Sequence, residues 1–149
     1  MSTATPVPSN GVLHKNEHWF AARVYIEDTD LGGVVYHANY LRFLERARSD
    51  LLRALGIDHR AAIENGLGVY AVTEVNLKYR KPARLDDDLL IVSRLAQLRG
   101  VSIAIDQKVM RGQELLAEGT VTVAFLSPEG RPKRQPDEWV TKFERLLSV

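Results

Sequence analysis

The chain has 149 residues, a formal net charge of +1, and 45% hydrophobic against 26% charged residues. That profile fits one globular domain with enough length for a core, and it excludes a global charge field drawing the protein onto nucleic acid or a membrane surface. There are no cysteines, which excludes disulfides, thiol nucleophiles and Cys-zinc sites and fits a reducing cytoplasm.

Residues 1–18 contain MSTATPVPSNG, which lacks the charged-then-apolar layout of a signal peptide. They read as a flexible tail, with a single domain over 19–149. No apolar run approaches the ~20 residues a membrane-spanning helix needs. Trp19 to Glu27 alternates, with Phe20, Ala22, Val24 and Ile26 on one side, which predicts a half-buried strand. An Asp/Gly-rich bend follows. From about Asn39 to Leu55 the period becomes helical, with Leu41, Leu44, Ala47, Leu51, Leu52 and Leu55 in one stripe. Asn39 is a plausible N-cap and Gly56 a C-terminal stop. A shorter helix is expected near His59 to Asn65. Four strand-like runs come next, over 69–80, 88–99, 101–110 and 115–126. In the first, Val69, Ala71, Thr73, Val75, Leu77 and Tyr79 share a face. The turns Arg99–Gly100 and Arg111–Gln113 make hairpins of the later runs. A Pro/Gly/basic connector leads to a last amphipathic helix from Asp137. Sequential hairpin strands with one long single-striped helix predict an α+β fold: a curved antiparallel sheet wrapped on a central helix.

The bend, EDTDLGGVVYHANY from Glu27 to Tyr40, concentrates carboxylates, glycines and a histidine. A solvated turn explains such residues in general. A calcium loop matches Asp28, Asp30 and Gly33 to the first, third and sixth ligand-loop positions, but Gly32 and Asn39 stand where later ligands belong. Asp30 with His37 supplies too few ligands for a transition metal. The remaining reading is a catalytic carboxylate beside a helix N-terminus. Unpaired N–H groups there can hold a carbonyl oxygen as it gains charge, while a carboxylate attacks the carbon or deprotonates water. Asp30 is the first candidate for that carboxylate and Asp28, better suited to a turn, the second.

These residues, with ERAR inside the helix, VTEVNLKYRKPARLDD after it and GRPKRQP near the end, resemble the hot-dog-fold acyl-CoA thioesterases of the 4-hydroxybenzoyl-CoA thioesterase superfamily. The likeness is greatest to its YbgC-like, Tol-Pal-associated branch and runs from about Arg23 to Pro136. The resemblance implies hydrolysis of acyl-CoA to a carboxylic acid and CoA with no cofactor. It implies Asp30 as catalytic carboxylate and His37 at the opening of the central helix, its backbone N–H donating to the thioester carbonyl. Gly33, Val34 and Tyr36 would shape the substrate pocket, with Leu31, Val35, Tyr70 and Val72 as further apolar lining. Glu45 and Arg46 match the family helix and read as a salt bridge or solvated face.

CoA phosphates call for cations. Lys78, Arg80 and Lys81, then Arg84, Arg131, Lys133 and Arg134, are the candidates. The resemblance further implies short-chain or hydroxybenzoyl-like acyl groups, a homodimer or homotetramer with sites built from both chains, a cytoplasmic location, and neither nucleic-acid partner nor membrane span. The alternatives are a hot-dog dehydratase and a non-catalytic acyl-CoA-binding or scaffold protein of the cell-envelope machinery.

Overall fold

The computed structural model describes residues 4–148. Six antiparallel strands form one sheet in the order β1-β2-β4-β5-β6-β3. They are β1 (Val12–His14), β2 (Glu17–Arg23), β3 (Val69–Tyr79), β4 (Asp88–Leu98), β5 (Ser102–Arg111) and β6 (Glu114–Leu126). The helices are α1 (Asn39–Ala54), α2 (His59–Glu64) and α3 (Asp137–Leu147). α1 lies on the sheet, burying Phe43, Leu44, Ala47 and Leu51 against Leu89, Ile91, Ile103, Ile105, Val109 and Val121. Its apolar stripe begins with Tyr40 and Phe43; Leu41, expected there, is exposed. Gly56 has φ +76°, the left-handed conformation expected after a helix end. Among the described residues no helix is long and apolar enough to cross a membrane.

Ordered structure starts earlier than Trp19. β1 and the first two residues of β2 fall within the stretch expected as a tail, whose residues 1–3 lie outside the described residues. The physical reason is a buried polar clamp. His18, fully buried, places Nε2 2.7 Å from Asp50 Oδ2 on α1, and the Gly11 amide donates to the same oxygen at 2.9 Å. A Cβ on Gly11 would lie 2.5 Å from that oxygen, so only glycine fits. β2 in turn ends at Arg23, because the chain enters a 3-10 turn over Ile26–Asp28. Ile26, expected inward, is 75% exposed there.

β3 departs from the expected phase. Val72 pairs with Val123, but Glu74 pairs with Thr122, so Thr73 is an extra residue in a bulge. Before it Tyr70 and Val72 share a face with the buried Phe125 and Val123; after it Val75, Leu77 and Tyr79 do so opposite Val121, Gly119 and Ala117. Beneath α1, Gln107 occupies an inward position. It bridges the Leu44 carbonyl and Ser93 Oγ through Nε2, while its Oε1 accepts from Arg48 Nη1, so the polar side chain is satisfied.

Candidate active site

Asp28 anchors the bend. Its buried carboxylate accepts from the Tyr25 amide at 2.8 Å, and its carbonyl accepts from the Tyr36 amide and from Asn39 Nδ2, both at 2.9 Å. This is the turn-forming role read for Asp28. Asn39 is therefore not the N-cap but the first helical residue; Ala38 takes the cap position without a side-chain hydrogen bond. Asn39 instead ties the helix start back to the bend.

Between Thr29 and Val35, which bridge each other, the chain makes a tight loop. Asp30 N donates to Val34 O and Gly33 N to Asp30 O, with Gly33 at φ +79°. A side chain at Gly33 would be strained by that conformation, whatever the space around it. The Asp30 carboxylate is exposed and accepts from the Gly32 amide at 2.8 Å. Val34 is half-buried and bridges Arg84.

At the helix start the amides of His37 and Ala38 find no acceptor among the described residues. A short α1 lead-in thus leaves donors facing outward, as helix N-termini do. The carbonyl of His37 accepts from Tyr79 Oη at 2.7 Å. Tyr79 lies edge-on to Tyr40 at 5.2 Å and to His37 at 6.4 Å, and Tyr36 stacks on His37 at 4.5 Å. The Tyr40 hydroxyl accepts from the Ala83 amide at 3.0 Å, fixing the basic segment that leaves β3. Burial, followed by the neighbouring Tyr40, raises the Tyr79 phenol above its ordinary value, so it remains a donor at neutral pH.

The result is a shallow cleft of ≈ 280 Å³ lined by Val35, His37, Tyr40, Tyr79, Arg80, Lys81 and Pro82. Of the residues singled out in the sequence, Val35, His37, Arg80 and Lys81 meet in it. Asp30, Gly33, Val34 and Tyr36 lie on the adjoining loop outside the lining. Lys78 is exposed and alternates to the strand face opposite Tyr79, outside the cleft. Arg80 and Lys81 reach Glu118 and Glu114 at 3.3 and 3.2 Å, both partly exposed pairs that a phosphate can displace. Glu45 and Arg46 form no ion pair among the described residues; Arg46 lies over the Phe43 ring at 5.8 Å. Tyr40 and Tyr79 line the cleft but were not singled out in the sequence as site residues. The available signal was a tyrosine at an inward position, where its hydroxyl needs a partner.

Residues 24–143 match the family model described as the thioesterase-like superfamily. The chain belongs to that superfamily. Over 128 residues this thioesterase is 38% identical to the acyl-CoA thioesterase YbgC of Haemophilus influenzae, covering 85% of this chain and 94% of that one. A segment of 68 residues, 46% of this chain and 47% of the relative, is 40% identical to 1,4-dihydroxy-2-naphthoyl-CoA hydrolase of Thermosynechococcus vestitus. The probable thioesterase of Bartonella henselae superposes with a TM-score of 0.75 at 36% identity, covering 81% of this chain and 98% of that one. The sheet wrapped on α1 is the hot-dog fold, and the protein is an acyl-CoA thioester hydrolase.

Proposed function

We propose that Asp30 supplies the catalytic carboxylate and that the free amides of His37 and Ala38 hold the thioester oxygen. The reaction needs only water as co-reactant. Asp30 takes a proton from water as the water oxygen bonds to the carbonyl carbon. The oxyanion forms against the two amides and collapses, the C–S bond breaks, and the thiolate of CoA leaves with the proton. Amides preoriented in this way stabilise the transition state more than the substrate, an effect worth about 10²–10³ in rate per donor. Direct attack by Asp30 would give a mixed anhydride instead; when water opens it at the aspartyl carbonyl, one turnover in ¹⁸O-water labels the aspartate and not the product acid. Arg80 and Lys81 are the cations for the CoA phosphates, with Gly33, Val34 and Tyr36 against the thioester. The acyl groups are short-chain or hydroxybenzoyl-like, a reading supported by the partial match to the naphthoyl-CoA hydrolase.

The assembly we infer is a homodimer joined through β3, or a tetramer of such pairs, in the cytoplasm. β3 ends the sheet with an unpaired edge. Its inward-phase residues Val72, Val75 and Tyr79 are 46%, 40% and 49% exposed, so apolar surface waits for cover.

The free amides beside the basic, aromatic cleft carry this reading. The test is thiol release from an acyl-CoA panel by wild type and Asp30→Asn. A loss of at least ~100-fold is expected; full activity in the variant overturns the assignment of Asp30.

A further inference from the structure

The loop that carries Asp30 has little of its own to hold it. The carboxylate is exposed, and its partner among the described residues is the Gly32 amide in the same loop. The loop leans instead on residues 82–87. The Val35 amide donates to the Ala83 carbonyl at 2.8 Å, and Val34 bridges Arg84. The Val34 carbonyl accepts from the Asp30 amide at 2.9 Å, so this backing reaches the Asp30 backbone directly. The backing segment is neither helix nor strand, and Asp86 in it has φ +69°. Backbone hydrogen bonds to Val24 and the Tyr40 hydroxyl hold it at single points. One side chain from the end of β5 ties its two ends together. Arg111 Nη1 donates to the Pro82 carbonyl at 3.2 Å and to Asp87 Oδ2 at 2.7 Å. The same Asp87 oxygen accepts from the Arg84 amide at 2.8 Å. Nε and Nη2 of Arg111 donate to Glu114 Oε1, each at 3.2 Å, which fixes the guanidinium plane. Arg111 and Asp87 are 28% and 22% exposed, so the pair is partly shielded from solvent. Burial pushes the Asp87 carboxyl up, but the Arg84 amide and Arg111 more than offset it, so it stays charged at neutral pH.

We propose that Arg111 and Asp87 are positioning residues for the hydrolysis: they keep residues 82–87 in shape, and through them hold the Asp30 loop in place beside the His37 and Ala38 amides. The inference rests on the catalytic reading of Asp30 above. Neither residue lines the cleft, and Arg111 meets it only through the Pro82 carbonyl. Their contribution is geometric. A reacting group misplaced by ~1 Å can lose ~100-fold in rate. A loop that stays folded but is held less firmly loses less than that, and loses it in kcat, because the cations read for the CoA phosphates sit elsewhere. The fork of Arg111 is what the task needs, since one planar group meets a carbonyl and a carboxylate at once.

The experiment measures thiol release from an acyl-CoA that the wild type hydrolyses, at a temperature well below each melting midpoint. The variants are Asp87→Ala, Asp87→Asn, Arg111→Gln and the double variant Asp87→Ala/Arg111→Gln. Arg60→Gln, which removes an exposed ion pair to Glu64 on α2, is the control. Asp87→Ala and Arg111→Gln should each lower kcat about three- to tenfold, with KM for Asp87→Ala within about twofold of wild type. Asp87→Asn, which keeps an acceptor oxygen, should recover most of the loss. The double variant should lose no more than the worse single one, because the two residues act as a unit. The Gly32 amide, which reports on the Asp30 carboxylate, should shift in the NMR spectra of Asp87→Ala and Arg111→Gln and stay in place in Arg60→Gln. Lower melting with kcat within 1.5-fold of wild type overturns the proposal, as does a kcat loss with an unmoved Gly32 amide or losses that multiply in the double variant. Asp30→Asn in the same assay separates the two readings. If it keeps full activity, the catalytic reading falls, and a Gly32 amide that moves in Asp87→Ala retains the pair as the support of the loop. If Asp30→Asn is inactive while Asp87→Ala and Arg111→Gln are unimpaired, only the positioning role falls.

Discussion

Replacing Tyr79 by Phe removes one oxygen and leaves the ring packed on Tyr40. The lost contact is the 2.7 Å hydrogen bond to the His37 carbonyl. That carbonyl belongs to the peptide whose other end is the Ala38 amide, so the phenol both fixes the peptide plane and polarises its N–H. A neutral hydrogen bond is worth ~0.5–1.5 kcal/mol net, and Tyr79 is about half exposed, which favours the lower half of that range. If the amide works as a donor to the transition state, kcat falls about two- to fivefold at ~1.4 kcal/mol per decade. KM stays nearly constant, because the ground-state carbonyl is a weaker acceptor than the oxyanion. Steady-state thiol release on an acyl-CoA that the wild type hydrolyses well measures this, with circular dichroism melting as the control. A kcat within 1.5-fold of wild type at unchanged melting would refute the role of the His37–Ala38 peptide.

Asp50→Ala leaves the buried His18 and the Gly11 amide without their acceptor, and should cost about 3 kcal/mol, seen in urea unfolding, with melting lowered by roughly 6–12 °C; under 1 kcal/mol would mean the clamp contributes little. Gly119→Ala sets a Cβ into the Asn76 carbonyl oxygen on β3. It should destabilise by about 2 kcal/mol or more and lower the fraction of folded protein on expression, since only glycine permits that backbone approach. His59 has a folded pKa below its unfolded value. Its neutral form therefore contributes stability fully above the unfolded value near 6.5, and that stability is lost as pH falls through the folded value. Melting between pH 7.5 and 5.5 should fall further for wild type than for His59→Leu; parallel curves would contradict this.

Much of the fold was legible because it rests on periodicity. The stripe of Leu44, Ala47 and Leu51 and the alternation of Val121, Val123 and Phe125 follow from helix and strand geometry alone. What escaped has local causes that a period does not encode. The bulge at Thr73 adds one residue without altering composition. Leu41 and Leu44 are both leucines in a helical stripe, yet Tyr40 and Phe43 turn the buried face away from Leu41. His18 reads as surface polar until Asp50, 32 residues away, is placed beside it. Of the candidate cleft, Val35, His37, Arg80 and Lys81 were singled out from the motif and its basic exit, whereas Asp30, Gly33, Val34 and Tyr36 lie on the adjoining loop. Tyr40 and Tyr79 were not singled out, because their hydroxyls reach Ala83 and His37 only through tertiary distance.

Thr73 also sets a rule about length. Tyr70 and Val72 before it and Val75, Leu77 and Tyr79 after it all face inward although their numbers differ in parity, and the second group reaches the cleft at Tyr79. Deleting Thr73 would leave Val72 and Glu74 opposite the successive residues Val123 and Thr122, so Tyr70 and Val72 would still face inward with Val75 to Tyr79 and only the bulge would be lost. A one-residue deletion at the bulge therefore spares both groups, whereas one elsewhere in β3 would turn the residues between it and the bulge to the opposite face.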